Sequence, residues 1–132
     1  MILTDSSVWS QILRRKSNYH THIISELSSL IRQNEVAIIG AIRQEVLTGI
    51  KHQSQFEKVK IGLAAFPDIP ILTDDHVYAA EMSNRCRLKG IQGSPIDFLI
   101  CAVANRFDMQ IFTLDKDFLH YQKHLPIKLY PI

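Results

Sequence analysis

Three short runs of this chain are apolar without alternating with polar residues: Met1 to Thr4, closed by Asp5; Glu35 to Gly40 (EVAIIG), closed by glycine; and Gln110 to Thr113 (QIFT). A strand with one wet face alternates, whereas a strand covered on both faces does not. These runs are therefore read as strands buried from both sides. The segments between them have helical period. His20 to Arg32 places Ile23, Ile24, Leu27, Leu30 and Ile31 on one stripe, the pattern of a crossover helix. Ala41 to Ile50 and Phe56 to Phe66 continue in helical period, and Pro67 and Pro70 then introduce a brief extended IPIL segment. Asp74 to Lys89 reads as another helix, and Ser94-Pro95 opens an apolar helix to about Phe107. A short helix from Asp115 and a closing IKLYPI strand complete the order. Strands alternating with helices over short connections predict an α/β fold: a parallel central sheet with helices on both faces. The 132 residues suit one domain spanning 1–132, with no internal repeat or linker.

Composition narrows the function. Hydrophobic residues make up 46% and charged residues 21%, enough for a real core and too apolar for intrinsic disorder. The formal charge of +2 excludes the strongly basic profile of a histone-like protein, so nucleic-acid binding has to be local. No apolar run approaches the roughly 20 residues of a membrane helix. The opening MILTDSSVWS lacks a basic stretch and reaches Asp5 early, unlike a secretory signal, and a cytoplasmic location is expected. Cys86 and Cys101 belong to no CxxC pair, which argues against a structural disulfide or thiolate zinc site. His20 and His22, at i and i+2, do not face each other, and His120 and His124 lack the acid of a HExxH-like motif. Ser6, Ser7 and Ser94 have no nearby histidine base and no G-x-S-x-G context, and no phosphate-binding glycine loop occurs.

In parallel sheets of this kind, ligands bind outside the carboxyl ends of the strands, where the strand order reverses. Asp5 follows the first strand and Asp115 follows QIFT; Asp97 sits in the first turn of the Ser94-Pro95 helix, and Glu45 one turn into the helix after EVAIIG. Each has a structural reading. Asp5 suits an N-cap, Ser94-Pro95-Ile96-Asp97 suits a capping box, and Asp115 or Asp117 suits the cap of the last helix. Glu45 suits a solvated helix position. Independent caps, however, have no reason to gather at one edge of a sheet. Two carboxylates ~4 Å apart repel by about 4 kcal/mol at an effective dielectric of 20, so four together require a cation. Ligands that are all oxygen select a hard ion, Mg²⁺ or Mn²⁺, and such an ion suits phosphodiester chemistry.

With these residues in view, the chain resembles the PIN-domain ribonucleases, and among them the VapC-type toxins of toxin–antitoxin pairs. The likeness rests on MILTDSSVW, AIRQEVLTGI, SPIDFLICAVANRFDMQIFTLDKDF and the length, and it covers essentially the whole chain. By the family's pattern, Asp5, Glu45, Asp97 and Asp115 match its catalytic acids, with Asp5, Asp97 and Asp115 as metal ligands. Thr113 matches the small hydroxyl residue before the last acid, Ser7 a polar position beside the first, and Asp117 a less regular extra acid. The resemblance implies a metal-dependent endoribonuclease acting on single-stranded or loop RNA, a cognate antitoxin protein and a homodimer.

Arg14, Arg15 and Lys16 follow the first helix and are candidates for RNA-phosphate contacts, or else a solvated basic turn. Arg85, Arg87 and Lys89 end their helix, where cations favour the macrodipole; their nearness in sequence to Ser94 and Asp97 makes Arg85 and Arg87 candidates too. Two other functions compete. One is a non-catalytic RNA- or protein-binding domain that keeps the acids only for folding. The other is a phosphotransfer receiver domain, which wants paired acids after the first strand where this chain has Ser6-Ser7.

Overall fold

The computed structural model describes residues 1–13 and 21–132. Arg14, Arg15, Lys16 and His20 lie outside the described residues. The elements run in the order β1 (Ile2–Thr4), α1 (Ser6–Leu13), α2 (Thr21–Arg32), β2 (Val36–Ala37), α3 (Gly40–Leu47), α4 (Gln53–Leu63), α5 (Thr73–Leu88), α6 (Pro95–Phe107), β3 (Gln110–Phe112), α7 (Asp117–Gln122) and β4 (Lys128–Leu129). The four strands form one parallel sheet in the order β2-β1-β3-β4. From β1 the chain crosses to β2 on one side, then returns past β1 to place β3 on the other. Right-handed crossovers running in opposite directions put helices on opposite faces of a sheet. The same reversal makes the carboxyl ends of β1 and β3 the switch point. Leu3 pairs with Ile111 and Thr4 with Phe112, so the residues that follow, Asp5 and Thr113, leave the sheet side by side.

The unalternating strands are buried as their sequence requires. Leu3, Ile111 and Phe112 are fully buried, and so are Ile38, Ile39 and Ile42 beyond β2. Two strands are shorter than their apolar runs. β2 ends at Ala37 because the chain, extended at Ile39, turns directly into α3; Ile38 makes a single parallel bridge to Asp68 instead. That bridge is the only sheet pairing of the Pro67–Pro70 turn, and the IPIL segment forms no strand among the described residues. β4 ends before Pro131, which has no N–H to offer a ladder. Cys86 and Cys101 are free and buried, and burial pushes both thiols up.

Two arginines fix the loop between α4 and α5. Arg43 donates to Asp68 and to the carbonyls of Leu63 and Phe66. Arg106 forks onto both oxygens of Asp75 at 2.8 and 2.9 Å and reaches the Pro70 carbonyl. Burial alone pushes the Asp75 carboxyl up, but the bonds from Arg106 and from the Leu72 N–H outweigh it and hold the group below the usual carboxylate range.

Candidate active site

The site starts from the backbone that leaves β1 and β3. The Asp5 carbonyl accepts the N–H groups of Val8 and Trp9, which starts α1, while the Asp5 side chain turns to the strand ends. Its Oδ1 accepts the Ser6 N–H at 2.8 Å, and its Oδ2 accepts the hydroxyls of Ser7 and Thr113, both at 2.8 Å. Asp5 is 5% exposed, and three donors within 2.8 Å hold its carboxylate in one orientation. The capping reading of Asp5 is realised in part, since its side chain takes the N–H of the first helical residue.

Thr113, 8% exposed, ties β3 to this carboxylate and carries the network onward. Its hydroxyl accepts the Asp115 N–H at 3.0 Å and lies 3.3 Å from the Ser7 hydroxyl, which in turn accepts the Leu114 N–H. Ser7 and Thr113 thus splice the turn after β3 to the start of α1. Asp115 Oδ1 accepts the Asp117 N–H at 2.9 Å, so the turn at Asp115 delays α7, which opens at Asp117. One carboxylate thereby does the work of a cap and still lies in the acidic group.

Asp97 arrives from α6. Ser94 accepts the Asp97 N–H at 3.1 Å as its N-cap, Pro95 stands at the first position, and the side chain of Asp97 is left to receive the Tyr121 hydroxyl at 2.7 Å. Each of Asp97, Asp115 and Asp117 offers one oxygen such that all three lie within 4.8 Å of one another. Among the described residues this is the group of three or more such side chains close enough to hold one ion, and Asp5 is not one of the three. Glu45, exposed on α3, joins the site from the other side, its Oε1 accepting the Ser6 hydroxyl at 3.1 Å. The electrostatics fit this proximity. Burial pushes the Asp97 carboxyl above the usual range, with the charges of Asp115 and Asp5 adding to it against the pull of the Tyr121 and Ser94 hydroxyls. Glu45 is likewise raised, first by the partial desolvation of its carboxyl and then by Asp5, Asp97 and Asp115, against the Ser6 bond. Asp97 and Glu45 therefore both feel the charges of Asp5 and Asp115, as a shared strand edge demands.

The model of the PIN domain matches residues 2–124. The chain belongs to the PIN domain family. Among solved structures, the crystal structure of FitAcB from Neisseria gonorrhoeae is similar at 19% identity and a TM-score of 0.78, covering 99% of this chain and 97% of that one. VapBC2 from Rickettsia felis, bound to a DNA fragment from its promoter, is similar at 19% identity and a TM-score of 0.77, covering 98% of both chains. FitAB bound to the IR36 DNA fragment gives 20% identity and a TM-score of 0.75 over 98% of this chain and 94% of that one. No curated protein matches the sequence. In this PIN domain the donor set is all carboxylate, with three oxygens within 4.8 Å of one another, the hard oxygen ligands that Mg²⁺ or Mn²⁺ takes. A hard divalent cation fits these residues.

Of the basic candidates, Arg85 and Arg87 lie exposed in the last turn of α5; Arg87 lines a groove of about 520 Å³ between α5 and α6 that ends at Gly93 and Pro95. No helix among the described residues is long and apolar enough to cross a membrane. Two site residues escape the sequence reading. Ser6 bridges to Glu45 across 39 positions, and the Tyr121 hydroxyl reaches Asp97 across 24. The only local signal for Tyr121 is its place one helical turn after Asp117.

Proposed function

We propose that this chain is a metal-dependent endoribonuclease and the toxin of a toxin–antitoxin pair, with Asp5, Glu45, Asp97 and Asp115 as its catalytic acids. The observation that carries the reading is the convergence of Asp97, Asp115 and Asp117 within 4.8 Å at the switch point of the sheet, beside a buried Asp5. Asp97 and Asp115 hold Mg²⁺ or Mn²⁺, Asp117 is the third carboxylate in reach, and Asp5 adds a carboxylate oxygen from the end of β1. Bound there, the cation supplies charge neutralisation at a phosphoryl oxygen and a more acidic water. Glu45 stands across the site with its carboxyl raised, placed to take a proton from an attacking water. Ser7 and Thr113 orient Asp5 and the Asp115 backbone. Arg14, Arg15, Lys16, Arg85 and Arg87 are the cations proposed to meet RNA phosphates.

Membership of the PIN family supports nuclease chemistry. The similar FitAB and VapBC2 assemblies support an antitoxin partner, and a homodimer and a cytoplasmic location accompany that reading. An acidic pocket also receives a basic side chain readily, which gives such a partner a means of inhibition. The test is to induce the chain without its gene neighbours and sequence the 5′ ends of cellular RNA. New 5′ ends at defined positions, absent with Asp97→Asn and suppressed by a neighbouring gene, are expected. The same ends with Asp97→Asn, or none with either protein, contradict the nuclease reading and favour a binding domain; suppression by no neighbour contradicts only the toxin reading.

A further inference from the structure

Tyr121 is fully buried, yet its hydroxyl is aimed at the acidic group. Its ring is wedged between Phe98, at 5.0 Å between centroids, and Phe118, at 5.1 Å and nearly edge-on. On the remaining side lies Gly93. A Cβ on that residue would stand 2.2 Å from the Tyr121 oxygen and 2.7 Å from its Cζ, distances that a side-chain carbon essentially never shows, and a tight 3.0 Å from Phe98. The turn before α6 therefore leaves room for this one hydroxyl, and α7, which contributes Tyr121, is joined to α6, which contributes Asp97, by a bond of 2.7 Å.

We infer that Tyr121 is a positioning residue of the metal site: its hydroxyl, seated against Gly93, holds Asp97 Oδ2 and so fixes the rotation of the carboxylate toward Asp115 and Asp117. The inference rests on the proposed metal-dependent reading and deepens it. With Oδ2 held, rotation about the Cβ–Cγ bond stops and Oδ1 keeps one position. Asp97 has fewer donors than Asp5: beside the Ser94 hydroxyl it has only this short bond, which therefore carries most of its orientation. Removing a hydrogen bond that orients a ligand in this way typically lowers metal affinity by about 10- to 100-fold. Phe98 and Phe118 hold the ring whether or not it bears a hydroxyl, so Tyr121→Phe keeps the packing and loses only the bond.

The experiment measures Mn²⁺ affinity of the purified full chain from the electron paramagnetic resonance signal of free Mn²⁺, with melting in chelator as the check on folding. Five proteins are compared: wild type, Tyr121→Phe, Gly93→Ala, the double variant of these two, and Tyr130→Phe. Tyr130 donates to Glu26 at 2.7 Å, a tyrosine–carboxylate pair outside the acidic group, and so controls for loss of a hydroxyl. Tyr121→Phe is expected to weaken Mn²⁺ binding by about 10-fold or more. Gly93→Ala, which keeps the hydroxyl but displaces it, is expected to weaken it comparably, and the double variant to be no weaker than the worse single one. If either variant fails to fold, the other decides. Tyr121→Phe or Gly93→Ala that folds and binds Mn²⁺ within twofold of wild type overturns the inference while leaving the metal reading intact, as does an equal loss with Tyr130→Phe. A wild-type protein that binds no Mn²⁺ overturns the metal reading and this inference with it.

Discussion

Thr113→Val removes one oxygen from the centre of the site and leaves its shape unchanged. The Thr113 hydroxyl donates to Asp5 at 2.8 Å and accepts the Asp115 N–H at 3.0 Å, in a position 8% exposed. Valine fills the same volume, so no cavity term enters. Loss of a hydrogen bond to a charged group costs about 1.5–3 kcal/mol, and leaving the Asp115 N–H without its acceptor adds about 1 kcal/mol or more. The metal-free variant is therefore expected to be about 3 kcal/mol less stable. For a domain of this size that lowers Tm by roughly 10 °C. Urea unfolding in chelator at pH 7 reads the difference, with an unchanged m-value confirming that the transition is the same one. Thr113→Ser, which keeps the oxygen and loses a methyl, should recover most of the loss. A valine variant within about 0.5 kcal/mol of wild type would refute the reasoning, because the hydroxyl would then be exchanging water for protein partners at no cost.

Asp97→Asn should melt above wild type in chelator at pH 8, since the amide still accepts the Tyr121 hydroxyl and removes the like-charge repulsion of Asp115 and Asp5. The sign with pH follows from the raised folded values of Asp97 and Glu45. Metal-free wild type has the full contribution at pH below the ordinary carboxylate range and loses it as pH rises through the higher folded values, and added Mn²⁺ restores it. A variant that melts below wild type under those conditions would mean that Asp97 serves only as part of the helix start. Arg106→Met strands the buried Asp75 carboxylate and should cost about 3 kcal/mol in chemical unfolding, with the double change Asp75→Asn and Arg106→Met recovering part of it. A double variant no more stable than the single one would contradict the pairing.

What could be read from the sequence was whatever depends on period and order. Unalternating MILT and QIFT gave buried strands because burial on both faces leaves no polar positions, and the acids that follow them fell at the sheet edge for the same reason. Strand ends were less legible. EVAIIG is apolar throughout, so nothing in it marks that Ile38 and Ile39 leave the sheet for a bridge to Asp68 and the start of α3. Within the site, the positions of the acids followed from topology, but their grouping did not. The three mutually close carboxylates include Asp117, because the Asp115 turn sets α7 two residues later than expected. Tyr121 and Gly93 stayed hidden for a related reason. Their meaning is a contact between α7 and the turn before α6, and no local pattern encodes a contact between separate segments.

The acids at the ends of β1 and β3 are proposed to make a metal-dependent site for cutting RNA. The most direct measurement is cleavage of a single-stranded RNA by the purified full chain, with Mg²⁺ or Mn²⁺ and with excess chelator, for wild type, Asp5→Asn and Asp97→Asn. Internal cleavage by wild type with either metal, none in chelator, and a loss of at least about 100-fold in rate for each variant are expected. Undiminished cleavage in chelator, or wild-type rates in both variants with circular dichroism spectra unchanged, would contradict that proposal.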